Sequence, residues 1–548
     1  MIKRILNKSL LLNSRPSQSV TSAAFVITTF GIISRILGLL RDRFLASSFG
    51  AGDVLDAYYA AFRIPDLIYN LLILGALSAA FIPVFTGLIS KKQDEEAWSL
   101  ANNVLNIFIF LIVIISIFFA IFAPYVMKLL TPGFSGEKME TVVSLTRIMF
   151  LSPLFLGISG IFGGVLTSFK HFLVYSIAPI FYNIGIIIGV LFFVKFLGID
   201  GLAWGIVLGA FLHMLIQIPT ARKLGFKYKF SLWKSFKDKN VKKIFTLMLP
   251  RTMGIAVNQI NLLIITIFAS LLSAGSLTVF NFAQNLQSVP LGLFGISFSI
   301  AVFPVLSGFY ASGKNKEFSL AVSNTLKKIL FFVIPISVFL ILLRAQFVRA
   351  ILGAGEFDWE DTILTFQALG IFSISLFAQC TTPLFARAFY AMHNTKTPFY
   401  VAIFSEIINI LAVIILINKF EVLGLVMAFS LTSIVQMLLL FFILRKKLDN
   451  FDDLNTAKSI IKILAGAIFA GILIQLAKDQ VALFADLDTF FGIATQLFLS
   501  LTLGTIVFAA MSYLLDIKEF FIFKNSLSRR IFRAQKIPAD DPTEISGI

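Results

Sequence analysis

The chain has little charge and few of the side chains that carry chemistry. Charged residues make up 14% of its 548 residues, histidine occurs three times and cysteine once. Soluble domains carry roughly 25% charged residues, so this composition excludes an ordinary soluble globular protein. The lone Cys380 sits in an apolar run, which excludes a disulfide framework and leaves no Cys/His cluster for a metal. It reads as a small buried apolar residue. The sequence contains no GxxxxGK[ST] phosphate loop, no catalytic triad and no zinc motif, so nothing in it points to an enzyme or calls for a cofactor. Strand-period alternation is missing as well, which argues against a transmembrane barrel. No nucleic-acid module accompanies the basic residues.

What the chain has in abundance is apolar length. It is 58% hydrophobic with a mean hydropathy of +0.91. A span needs about 20 apolar residues, and fourteen candidates are found. They lie near 23–40, 54–90, 101–130, 143–168, 173–197 and 201–220, then 244–272, 276–311, 320–352, 362–391, 397–418 and 423–444, and finally 458–477 and 488–515. The expectation is an all-α polytopic membrane protein. Spans two and eight are overlong and hold Pro65 and Pro290, where bends or breaks are expected.

The net charge of +17 lies in loops and tails. Residues 221–243 carry nine basic side chains against one acid, Asp238; further basic residues follow spans two, eight, twelve and fourteen, whereas the loop near 354–361 is acidic. The positive-inside rule then places both termini in the cytoplasm. No cleavable signal peptide is expected, since the first apolar run continues through Arg35. The tail from about 524 is polar, with Pro538 and Pro542, and is expected to be disordered.

The chain also repeats itself. Gly52 and Gly275 lie 223 residues apart in similar segments, Phe44–Phe85 and Ile267–Leu306. At the same offset Gly201 faces Gly424 and Ile180 faces Ile403, while Pro83 falls nearly on Pro304. Spans one to six thus match spans seven to twelve in the same order, the pattern of a transporter built from two parallel repeats. The division predicted is a cytoplasmic tail 1–20, a first six-helix lobe 21–220, a basic cytoplasmic loop 221–243, a second six-helix lobe 244–447, two extra helices within 456–516, and a cytoplasmic tail 517–548.

An ionisable group inside a span costs about 2.5–3.5 kcal/mol at the helix centre and so marks a cavity or a partner. Arg35, flanked by apolar residues, is the sharpest case. It is either half of an ion pair with Asp42 or Asp56, or a contact for an anion, which a guanidinium binds bidentately while keeping its charge. Arg41 and Asp42 end span one and fit either a cavity or an interfacial anchor. Asp56 and Arg63, seven apart on span two, are expected to pair with one another or with Arg41. Arg251 beside Pro250 is the second half's candidate cation; Asn258, Gln259 and Asn261 follow it, and Asn281, Gln284, Asn285 and Gln287 line span eight. These polar residues predict either helix–helix hydrogen bonds or a wet central cavity. Glu406 is the candidate for ion or proton coupling, with a structural hydrogen bond as the other reading. Arg387 is a candidate gate or cytoplasmic-side anchor. Arg147, Arg344 and Arg349 near span ends are expected to snorkel.

Four segments carry a family resemblance: SRILGLLRDRFLASSFGAG at Ser34–Gly52, LDAYYAAFRIPDL at Leu55–Leu67, GALSAAFIPVF at Gly75–Phe85 and RAFYAMHNTKTPF at Arg387–Phe399. They resemble the MurJ (MviN) lipid II flippases of the MOP exporter superfamily, over roughly residues 20–520. The resemblance implies two six-helix lobes plus two helices forming a groove for a lipid tail. It also implies translocation of undecaprenyl-diphosphate-linked peptidoglycan precursor across the bacterial cytoplasmic (inner) membrane by alternating access. By motif match, Arg35 and Arg41 meet the diphosphate, with Ser34, Asp42 and Asp56 beside them. The implied partners are the lipid-linked oligosaccharide and membrane lipids, with cell-wall synthesis proteins as further candidates. The implied energy source is the membrane potential or an ion gradient. The chain departs from the family pattern at Tyr69–Asn70 and Leu74-Gly75-Ala76, where the family has an arginine pair and then Glu-Gly-Ala. It departs again at Asn285, where the family has arginine. Other readings stay open at this point: a flippase for an O-antigen or teichoic-type polyprenyl-diphosphate glycolipid, a MATE-type antiporter, or a non-transporting scaffold.

Overall fold

The computed structural model of the chain describes residues 20–74, 80–448 and 451–532, and within these the side chains of all but 20–25, 74, 249–251, 253–255 and 526–532. Every regular element among the described residues is helical. Ten helices among the described residues are long and apolar enough to cross a membrane. One of them, Lys396–Lys447, holds two expected spans, because Glu421 leaves the helix at φ 47°, ψ −128°. The three remaining expected spans correspond to Val20–Phe49, to Asp53–Tyr69 with Ile82–Ser90, and to Lys239–Ser270.

Several spans are more broken than hydropathy indicates. The span expected at 101–130 is a 28-residue helix, Asp94–Ile121, followed across Phe122 by the eight-residue helix Ala123–Leu130 with Pro124 in its first turn. Proline fits that turn because its missing N–H has no intrahelical partner to lose. Asp94, Glu95 and Glu96 begin the long helix, where carboxylates complement the positive end of the helix dipole. The span expected at 320–352 breaks in the same way, into Asn315–Leu342 and Arg344–Ile351, also 28 and eight residues long. The span near 143–168 splits into Gly136–Met149 and Ser152–Ser168, ahead of Pro153. Wide π-turns interrupt spans two and eight at Asn70–Leu74 and Leu291–Ile296. The second follows Pro290 directly, as expected where proline removes a donor from the ladder. The two halves therefore share the breaks in spans two and eight and in spans three and nine, whereas the split near Leu151 has no counterpart in the continuous helix Trp359–Ala391.

The contacts divide the chain into two compact units: residues 1–278 with 354–358, and residues 279–353 with 359–548. In the first, Phe81, Phe85, Leu100, Val104 and Phe108 form a buried core with Val165 and Ile244. Lys239–Ser270, which heads the second repeat in sequence, packs in this unit against Asp53–Tyr69 and Asp94–Ile121. Sequence repeat and compact unit are thus divided at different residues. Phe172–Ile188 and Asp200–Leu215 lie back to back: a Cβ on Gly205 would come within 2.6 Å of the Gly189 Cα. Small residues permit this approach, which helices in lipid use in place of a hydrophobic drive.

In the second unit, Asn315–Leu342 packs on Trp359–Ala391 and on Asp453–Val481, and the latter on Phe490–Leu514. Phe331, Phe385, Phe389, Ile463 and Ile474 are buried there, and the hydroxyls of Ser323 and Thr456 meet at 2.7 Å. Arg445, near the end of one helix, pairs at 2.5 Å with Asp453, the first residue of another. The tail differs from expectation. Lys518–Phe532 is helical, so the polar run from 524 to 532 is ordered secondary structure, and Ser459 donates to Glu519 at 2.9 Å. Residues 533–548, with Pro538 and Pro542, lie outside the described residues.

Candidate substrate-binding site in the first unit

The first long helix places Ser34, Gly38 and Arg41 on one face, since residues three, four and seven apart stack along a helix. That face meets Asn183 of the helix Phe172–Ile188. The Asn183 amide donates to the Ser34 carbonyl at 3.3 Å, to Ser34 Oγ at 3.4 Å and to the Pro179 carbonyl at 3.1 Å. Its Oδ1 accepts from Arg41 Nη1 at 3.3 Å. Arg41 Nε and Nη2 donate to Asp42 Oδ1 at 3.0 and 2.7 Å. The Arg41 side chain keeps 22% exposure while that of Asp42 keeps 3%. The guanidinium is therefore held in a fixed orientation by a buried carboxylate on one side and an amide on another. Three of its five N–H groups serve this purpose. Chemically this is a pre-oriented cation able to meet a phosphate oxygen at small reorganisation cost. Arg35 is half-buried on the same helix.

Asp56 has a different task. Lys138 Nζ approaches its Oδ2 at 3.0 Å, the Gly275 N–H donates to Oδ2 at 2.8 Å, and the Thr278 N–H and hydroxyl donate to Oδ1 at 3.0 and 2.8 Å. It is 1% exposed. Four donors saturate this carboxylate, so it clamps the start of the second span to the 275–278 turn. The pairing expected with Arg63 or Arg41 does not form, because Lys138 holds Asp56 instead. Lys138 also pairs with Asp53 at 2.6 Å and lies 4.0 Å over the Phe134 ring. Arg63 donates from Nε to Thr266 Oγ1 at 2.9 Å, linking the second span to Lys239–Ser270. The side chain of Arg251 lies outside the described residues, as do Gly75 and Ala76.

The other expected residues belong to the second unit. Asn285 is half-buried, and its carbonyl accepts from Ser288 Oγ at 2.7 Å. Nearby Gln379 donates to Gln287 at 3.1 Å and to Ser375 at 2.9 Å, so part of the polar lining of span eight joins helices. Glu406 is half-buried and accepts from Asn409 Nδ2 at 3.2 Å, in keeping with its structural reading. Arg387 Nη1 donates at 3.2 Å to the carbonyl of Ile296, the last residue of the second π-turn. Arg147, Arg344 and Arg349 reach the carbonyls of Ala120, Ile341 and Leu487.

Sequence reasoning missed Asn183, Lys138, Thr266 and Thr278. Asn183 had a signal, being a polar residue within the repeated segment at Ile180. The others pair across 82 to 222 residues of sequence, and no local pattern announces such contacts.

The chain as a whole is similar to known proteins over most of its length. Residues 45–495 match the family model described as lipid II flippase MurJ. A probable lipid II flippase MurJ from Buchnera aphidicola is 29% identical over 91% of this chain and 98% of its own length. The lipid II flippase MurJ of Burkholderia cenocepacia is 27% identical over 78% of this chain and 84% of its own length. A solved lipid II flippase MurJ in an inward closed conformation superposes with a TM-score of 0.73 at 28% identity, covering 93% of this chain and all of that one. A MATE-family transporter of the MOP superfamily gives a TM-score of 0.64 at 16% identity, covering 77% and 98%, a likeness of fold alone. This chain belongs to the lipid II flippase MurJ family.

Proposed function

We propose that this protein carries lipid II across the bacterial cytoplasmic membrane by alternating access, with both termini in the cytoplasm and no catalytic step. The observation that carries the reading is Arg41, held by Asp42 and Asn183 within an apolar helix. The physical task fits. A disaccharide–peptide diphosphate headgroup cannot enter about 30 Å of hydrocarbon unaided, and an oriented guanidinium replaces part of the hydration of its phosphates. Arg41 and Arg35 meet the diphosphate in this reading. Asp42 and Asn183 position Arg41, and Asp56 with Lys138 fixes the neighbouring turn. The drive is the membrane potential or an ion gradient, a potential of 100 mV being worth about 2.3 kcal/mol per charge moved. The missing arginine at Asn285 favours a second reading, a related polyprenyl-diphosphate glycolipid as cargo.

The test is complementation of a strain depleted of its lipid II flippase. The wild-type chain restores growth, and Arg35→Ala and Arg41→Ala, expressed to the same level, do not. Rescue by both alanine variants would remove the phosphate-contact role. Failure of the well-expressed wild type would move the cargo to the second reading.

A further inference from the structure

The first unit contains a cavity of about 520 Å³ away from Arg41, where the helices Asp94–Ile121 and Ser152–Ser168 meet the segment that follows Lys223. Its walls are apolar, with Leu105, Ile109, Ile158 and Phe162 among them, whereas Arg222, Lys227 and Tyr228 supply its polar lining. The volume lies in the range of ligand pockets, roughly 300–1,000 Å³.

The lining is built rather than incidental. Residues 226–231 have no regular secondary structure, yet three buried asparagines of Asp94–Ile121 hold the strap they begin. Asn102 donates to the Lys227 carbonyl at 3.0 Å and accepts the Lys229 N–H at 2.8 Å, as a neighbouring strand would. Asn106 donates to the Lys229 carbonyl and accepts from the Tyr228 hydroxyl, both at 2.9 Å. Asn103 donates to Asp238 at 2.7 Å and accepts from Ser235 at 3.0 Å. Asp238 in turn caps the helix Lys239–Ser270 by accepting from the Asn240 N–H at 2.8 Å. The cavity is thus preformed, and its edge is continuous with the start of that helix.

The outer face of the strap has the composition of a membrane interface. Phe230 and Trp233 are 75% and 77% exposed, and Lys229, Lys234 and Lys237 are exposed beside them. Amphipathic aromatic side chains interleaved with lysine settle at the boundary of headgroups and acyl chains. An apolar pocket at that boundary with two cations and a phenol in its lining matches an anionic amphiphile.

We propose that this cavity binds an anionic glycerophospholipid of the cytoplasmic leaflet. Arg222 and Lys227 meet its phosphate, and an acyl chain lies against Leu105, Ile109, Ile158 and Phe162. The site is separate from the Arg41 network and does not depend on the identity of the cargo. By bridging Arg222 and the strap, the lipid stabilises the segment from which Lys239–Ser270 begins.

The experiment uses the full chain in detergent, read by native mass spectrometry and thermal unfolding, with phosphatidylglycerol and phosphatidylcholine added in turn. The wild type retains phosphatidylglycerol in preference to phosphatidylcholine and unfolds at higher temperature with it. Arg222→Gln/Lys227→Gln weakens that retention by about tenfold, the size of a lost charged hydrogen bond. Ile158→Trp fills the cavity and lowers retention with both cations still present, so a folding defect in either variant leaves the other as a test. Wild-type retention in both variants would overturn the proposal. So would inorganic phosphate alone raising the unfolding temperature as much as phosphatidylglycerol does, which would leave an anion site without a lipid. Displacement of phosphatidylglycerol by lipid II from the wild type but not from Ile158→Trp would assign the cavity to the cargo and also overturn it.

Discussion

Arg41 uses two nitrogens on Asp42 and one on Asn183, so its orientation depends on residues that need not touch the cargo. Asn183→Leu removes the amide but keeps the bulk. A hydrogen bond to a charged group is worth about 1.5–3 kcal/mol. The expected outcome is therefore a loss of transport of about tenfold or more with little change in unfolding temperature, read as the initial rate of lipid II translocation in proteoliposomes. Asp56 behaves in the opposite way. Asp56→Ala takes the acceptor from the Gly275 and Thr278 donors and leaves Lys138 with the exposed Asp53 as its carboxylate partner. Breaking a buried pair costs about 3–5 kcal/mol, so the variant is expected to lose thermal stability, and the protein's melting curve in detergent checks this. The sequence exposed Arg35, Arg41, Asp42 and Asp56 because charge in an apolar run is conspicuous. It could not say which acid serves which base: Asp42 lies next to Arg41, whereas the partners of Asp56 are 82, 219 and 222 residues away.

At the scale of helices, the places of the spans were legible and their breaks were only partly so. Hydropathy averages over about 19 residues and does not register a one-residue interruption at Phe122 or Leu343. Pro124 and Pro153 give the breaks near them a visible cause. Leu343, at φ −104°, ψ 14°, has no such mark and is foreseeable only through its repeat partner. The polarity of 524–532 predicts disorder, yet this stretch continues the helix begun at Lys518, whose start carries Phe520 and Phe521. The glycines of spans five and six also set a packing distance. Gly185, Gly189, Gly201, Gly205 and Gly209 recur at intervals of four on two neighbouring helices, and a side chain at Gly205 would strike the Gly189 backbone. Gly205→Leu is expected to separate these helices, displace Asn183 and lower the yield of folded protein in the membrane. Gly38→Ala, whose new methyl would stand 3.9 Å from Asn183 Oδ1, is expected to leave that yield unchanged, both yields being read by size-exclusion chromatography of the solubilised protein.

For the whole molecule, the repeat at an offset near 223 predicted two related halves, and both halves show the same 28- and eight-residue helix pair. The sequence did not reveal that Lys239–Ser270 packs in the first compact unit. That contact is made by tertiary packing, including Arg63 on Thr266, and hydropathy carries no record of it. The charge of +17 has a consequence for the energetics of the proposed cycle. If guanidinium groups move through the field during transport, dissipating a 100 mV potential removes about 2.3 kcal/mol per charge. Translocation is then expected to slow by more than tenfold in vesicles collapsed with valinomycin and potassium, and Glu406→Gln is expected to leave that dependence unchanged, since Glu406 bonds locally to Asn409.

The account rests on oriented guanidinium groups receiving a lipid diphosphate, and the most direct measurement is lipid II translocation by the purified chain in proteoliposomes, comparing wild type, Asp56→Asn and the double variant Arg35→Ala/Arg41→Ala. The expected result is translocation by the wild type, at least partial translocation by Asp56→Asn, and a drop of more than tenfold in the double variant at equal incorporation. Translocation by the double variant at the wild-type rate would contradict the account.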